Sequence, residues 1–113
     1  RAEEPGYDFI IQGMSGLMSI TGEPDDVAGG GAQKVGVAVV DIQTGLYSTI
    51  AIQAALIARS HTGRGQYIDM SLLDVQVAAL ANQGMNYLSS GNIPKRYGNA
   101  HANIVPYQVL TLL

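Results

Sequence analysis

Asp41 is the residue whose type and position point most directly to chemistry. It follows a β-branched run, Val35-Gly36-Val37-Ala38-Val39-Val40. Apolar residues at helical spacing come after it, with Ile42, Leu46, Ile50, Ala54 and Ile57 on one line and Tyr47, Ala51, Ala55 and Ala58 beside it. The pattern predicts a short strand that stops at Asp41 and a buried helix that starts there. No other carboxylate lies between Asp26 and Asp69. An acid at such a junction has two uses. It can cap the helix, because its oxygen accepts from the second or third helical N–H and the positive helix end favours its charge. It can also act as a nucleophile, kept ionised at the strand-to-helix turn while neighbouring N–H groups stabilise an oxyanion on its reaction partner. Residue type and spacing leave both open.

Other arrangements that carry chemistry are poorly represented. His61 and His101 stand far apart, without an HExxH pattern or a third ligand type nearby, which argues against a metal site. The G-x-S-x-G elbow of a serine hydrolase is missing. Gly29-Gly30-Gly31 lacks the spacing of a phosphate cradle, and the acidic pair Asp25 and Asp26 repels phosphate, so residues 21–33 read as a connector. The chain has no cysteine, which removes a thiolate nucleophile and fits a reducing, cytoplasmic setting.

Length and composition bound the rest. The 113 residues suffice for one domain at most. They are 47% hydrophobic and 13% charged, about half the charge of an average free-standing domain, so much of the surface is expected to be covered. Together with Arg1 at the start and the apolar Val109-Leu110-Thr111-Leu112-Leu113 at the end, this leads us to expect an internal piece of a longer protein. A net charge of −3 with dispersed basic residues argues against nucleic acid. The apolar runs are interrupted by Gln43, Gln53, Gln76, Asn82 and Asn86, which argues against a membrane span.

The elements that must position Asp41 can be read in order. Residues 1–5 are a polar lead-in, and Phe9, Ile10, Ile11, Met14, Leu17 and Met18 mark a helix loosened by Gly13 and Gly16. The predicted strand and central helix follow the connector, the helix ending near Ser60-His61-Thr62-Gly63. Gln66-Tyr67-Ile68-Asp69-Met70 reads as a second strand. Ser71-x-x-Asp74 opens a helix whose face is Leu73, Val77, Leu80, Ala81, Gly84 and Leu88, with Asn82, Gln83 and Asn86 on its polar side. Residues 95–108 crowd polar, glycine and aromatic types in the manner of a binding loop. The order suggests an α/β domain that contributes strands to a mostly parallel sheet.

Four segments, GYDFIIQGMSGLMSITG, KVGVAVVDIQTGLYSTIAIQAALIAR, HTGRGQYIDMSLLDVQV and KRYGNAHANIVPYQ, resemble in order the class III CoA-transferase family, whose relatives include formyl-CoA transferase, carnitine CoA-transferase and α-methylacyl-CoA racemase. The resemblance covers about residues 6–108. It implies a helix-rich part of a Rossmann-like large domain, with residues 1–91 in that domain and 92–113 leading toward a small domain. It implies that an acyl-CoA donates CoA to a small carboxylic acid, with no permanently bound cofactor, in an interlocked homodimer. Asp41 matches the family nucleophile. Tyr7 and Asp8 match a substrate-lining pair, and a tyrosine in place of the racemase branch's histidine disfavours racemisation, since tyrosine is a poor base at neutral pH.

Only Gly98 and Asn99 match the glycine loop of formyl-CoA transferase, and the wording from Lys95 onward looks closer to the branch that handles succinate and other dicarboxylic acyl groups. Asn99 and His101 are thereby substrate-binding candidates, His101 either binding an acceptor carboxylate or satisfying a loop carbonyl. The alternatives are a racemase-type activity and a truncated module that serves only subunit association.

Overall fold

A computed structural model describes residues 5–110. The polar lead-in before Pro5 and the last three residues of the expected linker lie outside the described residues. Five helices follow one another: α1 (Asp8–Met14), α2 (Leu17–Ile20), α3 (Val39–Thr62), α4 (Leu72–Ala79) and α5 (Ala81–Ser90). Among the described residues no helix is long and apolar enough to cross a membrane.

The longest of these, α3, has 24 residues and spans about 36 Å at 1.5 Å per residue. It packs against α4 and α1, which also touch each other. The sequence pattern puts the Ile42, Leu46, Ile50 and Ile57 line inside, and within this chain nothing described covers it. Those four side chains are 55–64% exposed. The more sheltered line is Val40, Thr44, Ser48, Ala51 and Ala55, whose small side chains let the neighbouring backbones approach closely. The helix closes as the sequence predicts: Gly63 takes a left-handed φ of 68° and donates its N–H to the Arg59 carbonyl at 2.8 Å.

Neither predicted strand forms among the described residues. β-branched residues favour strands only where a partner strand supplies a ladder, and none lies beside them here. The Val35 N–H donates instead to the Gln12 side chain, and Val39 and Val40 enter α3. Among the described residues, 66–70 make no backbone hydrogen bond to another segment, and Tyr67 is 90% exposed.

Two helices that read as continuous are broken. Gly16, at φ 89°, separates α1 from α2. At the second break, between α4 and α5, Ala81 adopts a φ of 49°, which costs an alanine about 1–2 kcal/mol. The Ser71 cap on α4 is present, its Oγ accepting the Asp74 N–H at 3.4 Å.

Candidate active site

Asp41 is the third residue of α3 and is exposed. It is not the N-cap. That position belongs to Ala38, whose side chain has nothing to offer the free amides of the first turn. Asp8 of α1 supplies the missing acceptor, its Oδ2 taking the N–H of Val40 at 2.7 Å and that of Asp41 at 3.2 Å. The positive end of α3 favours both nearby carboxylates. Two consequences follow for the chemistry. The capping use of an acid at this junction falls to Asp8, and the Asp41 carboxylate accepts no hydrogen bond among the described residues. The amides expected to stabilise an oxyanion are also engaged already, so donors for that purpose must come from elsewhere.

Gln12, one turn along α1, completes the junction. Its Nε2 donates to Asp8 Oδ1 at 2.5 Å, and its Oε1 accepts the Val35 N–H at 2.8 Å. Behind them Val40 is wholly buried and Thr44 donates its hydroxyl to the Val40 carbonyl at 2.7 Å. Tyr7 precedes α1 and is 65% exposed, its carbonyl accepting the Ile11 N–H at 3.0 Å. The Tyr7 side chain is largely open to solvent. An open cleft of about 500 Å³ flanks this entrance, lined by Pro5, Gly6, Ile10, Met14 and Leu72 among others.

The structure thus brings Tyr7, Asp8 and Asp41 to one helix junction. Asn99 and His101 lie elsewhere, and no hydrogen bond among the described residues links them to Asp8 or Asp41. Their loop is tethered at both sides. Arg96 donates Nε to the Glu23 carbonyl at 3.2 Å and Nη1 to the Ser19 carbonyl at 3.1 Å, and it pairs with Asp25. Gly98 donates its N–H to the Gly22 carbonyl at 3.1 Å. On the other side Asn103 Oδ1 accepts from Asn82 at 2.8 Å and Asn86 at 3.1 Å, and its Nδ2 donates to Asn86 Oδ1 at 3.0 Å. The polar side of α5, which the sequence pattern leaves to solvent or a subunit, is where this loop docks.

The His101 backbone N–H donates to the Tyr107 carbonyl at 3.1 Å, while its side chain organises the loop without donating to a carbonyl among the described residues. Its Nδ1 accepts the N–H groups of Asn103 at 3.0 Å and Ile104 at 3.1 Å, and its ring meets Tyr107 edge-on with centroids 5.2 Å apart. A neutral ring that accepts at Nδ1 carries its proton at Nε2. Asn99 lines a cleft of about 420 Å³ with Pro106, Tyr107, Gln108, Val109 and Leu110.

Sequence reading passed over Gln12, Arg96 and Asn103. The available signal for Gln12 was an Asp–Gln pair four residues apart on an otherwise apolar helix, close enough to interact on one face. Nothing local marks the other two.

The family model for CoA-transferase family III matches residues 1–112. A succinate–glutarate CoA-transferase of Agrobacterium fabrum is 64% identical over 109 residues, 96% of this chain and 26% of that protein. The succinyl-CoA:glutarate CoA-transferase of Mus musculus is 50% identical over 103 residues, covering 91% of this chain and 23% of the mouse protein. The crystal structure of a CAIB/BAIF family protein from Brucella suis matches with a TM-score of 0.85 and 62% identity, over 98% of this chain and 28% of the other. The chain spans about a quarter of the length of these relatives. Sequence and helical architecture agree, and the chain belongs to CoA-transferase family III.

Proposed function

We propose that this chain is the nucleophile-bearing segment of a longer enzyme that moves CoA between dicarboxylic acids, succinate and glutarate being the first pair to test. The observation that carries the reading is the 64% identity, across nearly all of the chain, to a succinate–glutarate CoA-transferase. The exposed carboxylate of Asp41 at a helix start, without a hydrogen bond among the described residues, supports its role in the reaction.

Asp41 attacks the donor thioester carbonyl, forming a mixed anhydride and expelling CoA thiolate. The thiolate then attacks the aspartyl carbonyl, giving an aspartyl-CoA thioester and the free donor acid. The acceptor carboxylate attacks that thioester, and the thiolate closes the cycle on the acceptor's acyl carbonyl, restoring Asp41. Two matched acyl transfers replace one difficult one. Tyr7 and Asp8 border the reacting acyl group, and Asn99 and the Nε2–H of His101 bind the acceptor once the remaining protein brings their loop near. Within the whole enzyme, residues 1–91 belong to a Rossmann-like domain whose parallel strands come from other segments, residues 92–113 lead toward a small domain, and two copies interlock as a dimer.

The test is made on the full-length protein. Incubation with succinyl-CoA and hydroxylamine should convert Asp41 to its hydroxamate, read by mass spectrometry, and Asp41→Asn should abolish transfer. An unmodified Asp41, together with full activity in Asp41→Asn, overturns the proposal.

A further inference from the structure

Gln12 is 1% exposed on a short helix, most of whose other side chains face solvent. A buried carboxamide is tolerated when its polar ends are paired. Here both ends are, each to a different neighbour: Nε2 to the Asp8 carboxylate and Oε1 to the backbone N–H of Val35. Asp8 in turn accepts the amides of Val40 and Asp41.

We infer that Gln12 is a positioning residue for Asp41: it fixes the Asp8 carboxylate, which through those two amides sets the direction of the first turn of α3. The inference rests on Asp41 being the nucleophile. Gln12 makes no hydrogen bond to Asp41 and acts only through Asp8. The relay joins segments 23 to 33 residues apart, so it is a tertiary device rather than a feature of α1 itself. It also requires a carboxamide. A glutamate would offer Asp8 an acceptor and a second negative charge, and a methionine would offer no hydrogen-bond donor. Because Asp8 occupies the two amides, the Asp41 oxygens remain free to attack while their backbone is held.

The experiment measures the single-turnover rate of Asp41 acylation by succinyl-CoA in the full-length protein, with kcat and KM alongside. Displacement of a reacting group by about 1 Å costs about 100-fold, so Gln12→Met and Gln12→Glu should slow acylation about 10- to 100-fold. KM for succinyl-CoA should stay within about threefold, since ground-state binding is not what the relay supplies. In an Asp8→Ala background, Gln12→Met should add little further loss, because residues acting as one unit are not additive.

Folded Gln12 variants that acylate at the parent rate overturn the inference, and so do Gln12 and Asp8 losses that simply multiply. Should the Gln12 variants fail to fold, Asp8→Ala alone decides: unimpaired acylation breaks the relay at its second member. Transfer retained by Asp41→Asn overturns the nucleophile reading itself. Normal acylation of Asp41 in the Gln12 variants leaves that reading standing and removes only the positioning role.

Discussion

The two ends of α3 are held by different means. At the N-terminal end Val40 is fully buried, and the first turn is tied to α1 by the Asp8 carboxylate, which Gln12 braces. Toward the C-terminal end Leu56 and Ile57 are 52% and 64% exposed, and the last turn is closed by its own Gly63. The end that carries Asp41 is therefore assembled from residues within this chain. The remaining turns offer an apolar stripe suited to burial against further protein.

The largest effect that bears on this contrast is chemical. Asp41→Asn keeps the side-chain size and removes the charge that attacks in the proposed cycle, so CoA transfer by the full-length protein should fall at least about 1,000-fold, or about 4 kcal/mol of barrier. Stability should fall by no more than about 1 kcal/mol, the helix-end term, because the Asp41 carboxylate holds no hydrogen bond among the described residues. A large drop in stability instead would make Asp41 part of the scaffold.

The apolar end supplies the next prediction. In the full-length protein Ile57→Asp should lower unfolding stability by about 2–3 kcal/mol, read by urea denaturation, because a carboxylate would then be covered without a partner. A change within about 0.5 kcal/mol would mean that this face stays in water, and the contrast between the two ends would lose its meaning.

A smaller effect is expected at the loop that carries Asn99 and His101. Gly98 has a φ of 55°, and a β-carbon there would stand against the Glu23 carboxylate. Gly98→Ala should cost about 1–2 kcal/mol and raise KM for the acceptor acid more than KM for the acyl-CoA. Equal changes in both constants would separate this loop from acceptor binding.

What could be read from the sequence follows the range of the interactions. The course of α3 to its Gly63 stop and the Ser71 cap depend on neighbours a few residues away and were legible, whereas the sequence put the start of α3 at Asp41 and the helix begins at Val39. The strands at Val35–Val40 and residues 66–70 were not legible, because β-branched residues promise a strand only where another strand lies alongside. Periodicity located α3 and its apolar stripe but not the face through which this chain packs it. Large apolar residues suggest an inside, whereas the chain packs α3 through Thr44, Ser48, Ala51 and Ala55 and leaves the isoleucines outward. At the site, Asp41 stood out by its isolation and Tyr7 and Asp8 by family resemblance. The capping of α3 by Asp8 joins positions 32 and 33 residues apart, a link that no local pattern encodes. The docking of Asn103 on Asn82 and Asn86 was hidden for the same reason.

The most direct test follows an oxygen atom. In the proposed cycle the acceptor acid attacks the aspartyl-CoA thioester, and one of its carboxylate oxygens remains on Asp41 when the anhydride is opened. Full-length protein turned over with succinyl-CoA and glutarate labelled with heavy oxygen should carry that label in the peptide containing Asp41, and only when both substrates are present. Turnover that leaves the Asp41 peptide unlabelled would contradict the account.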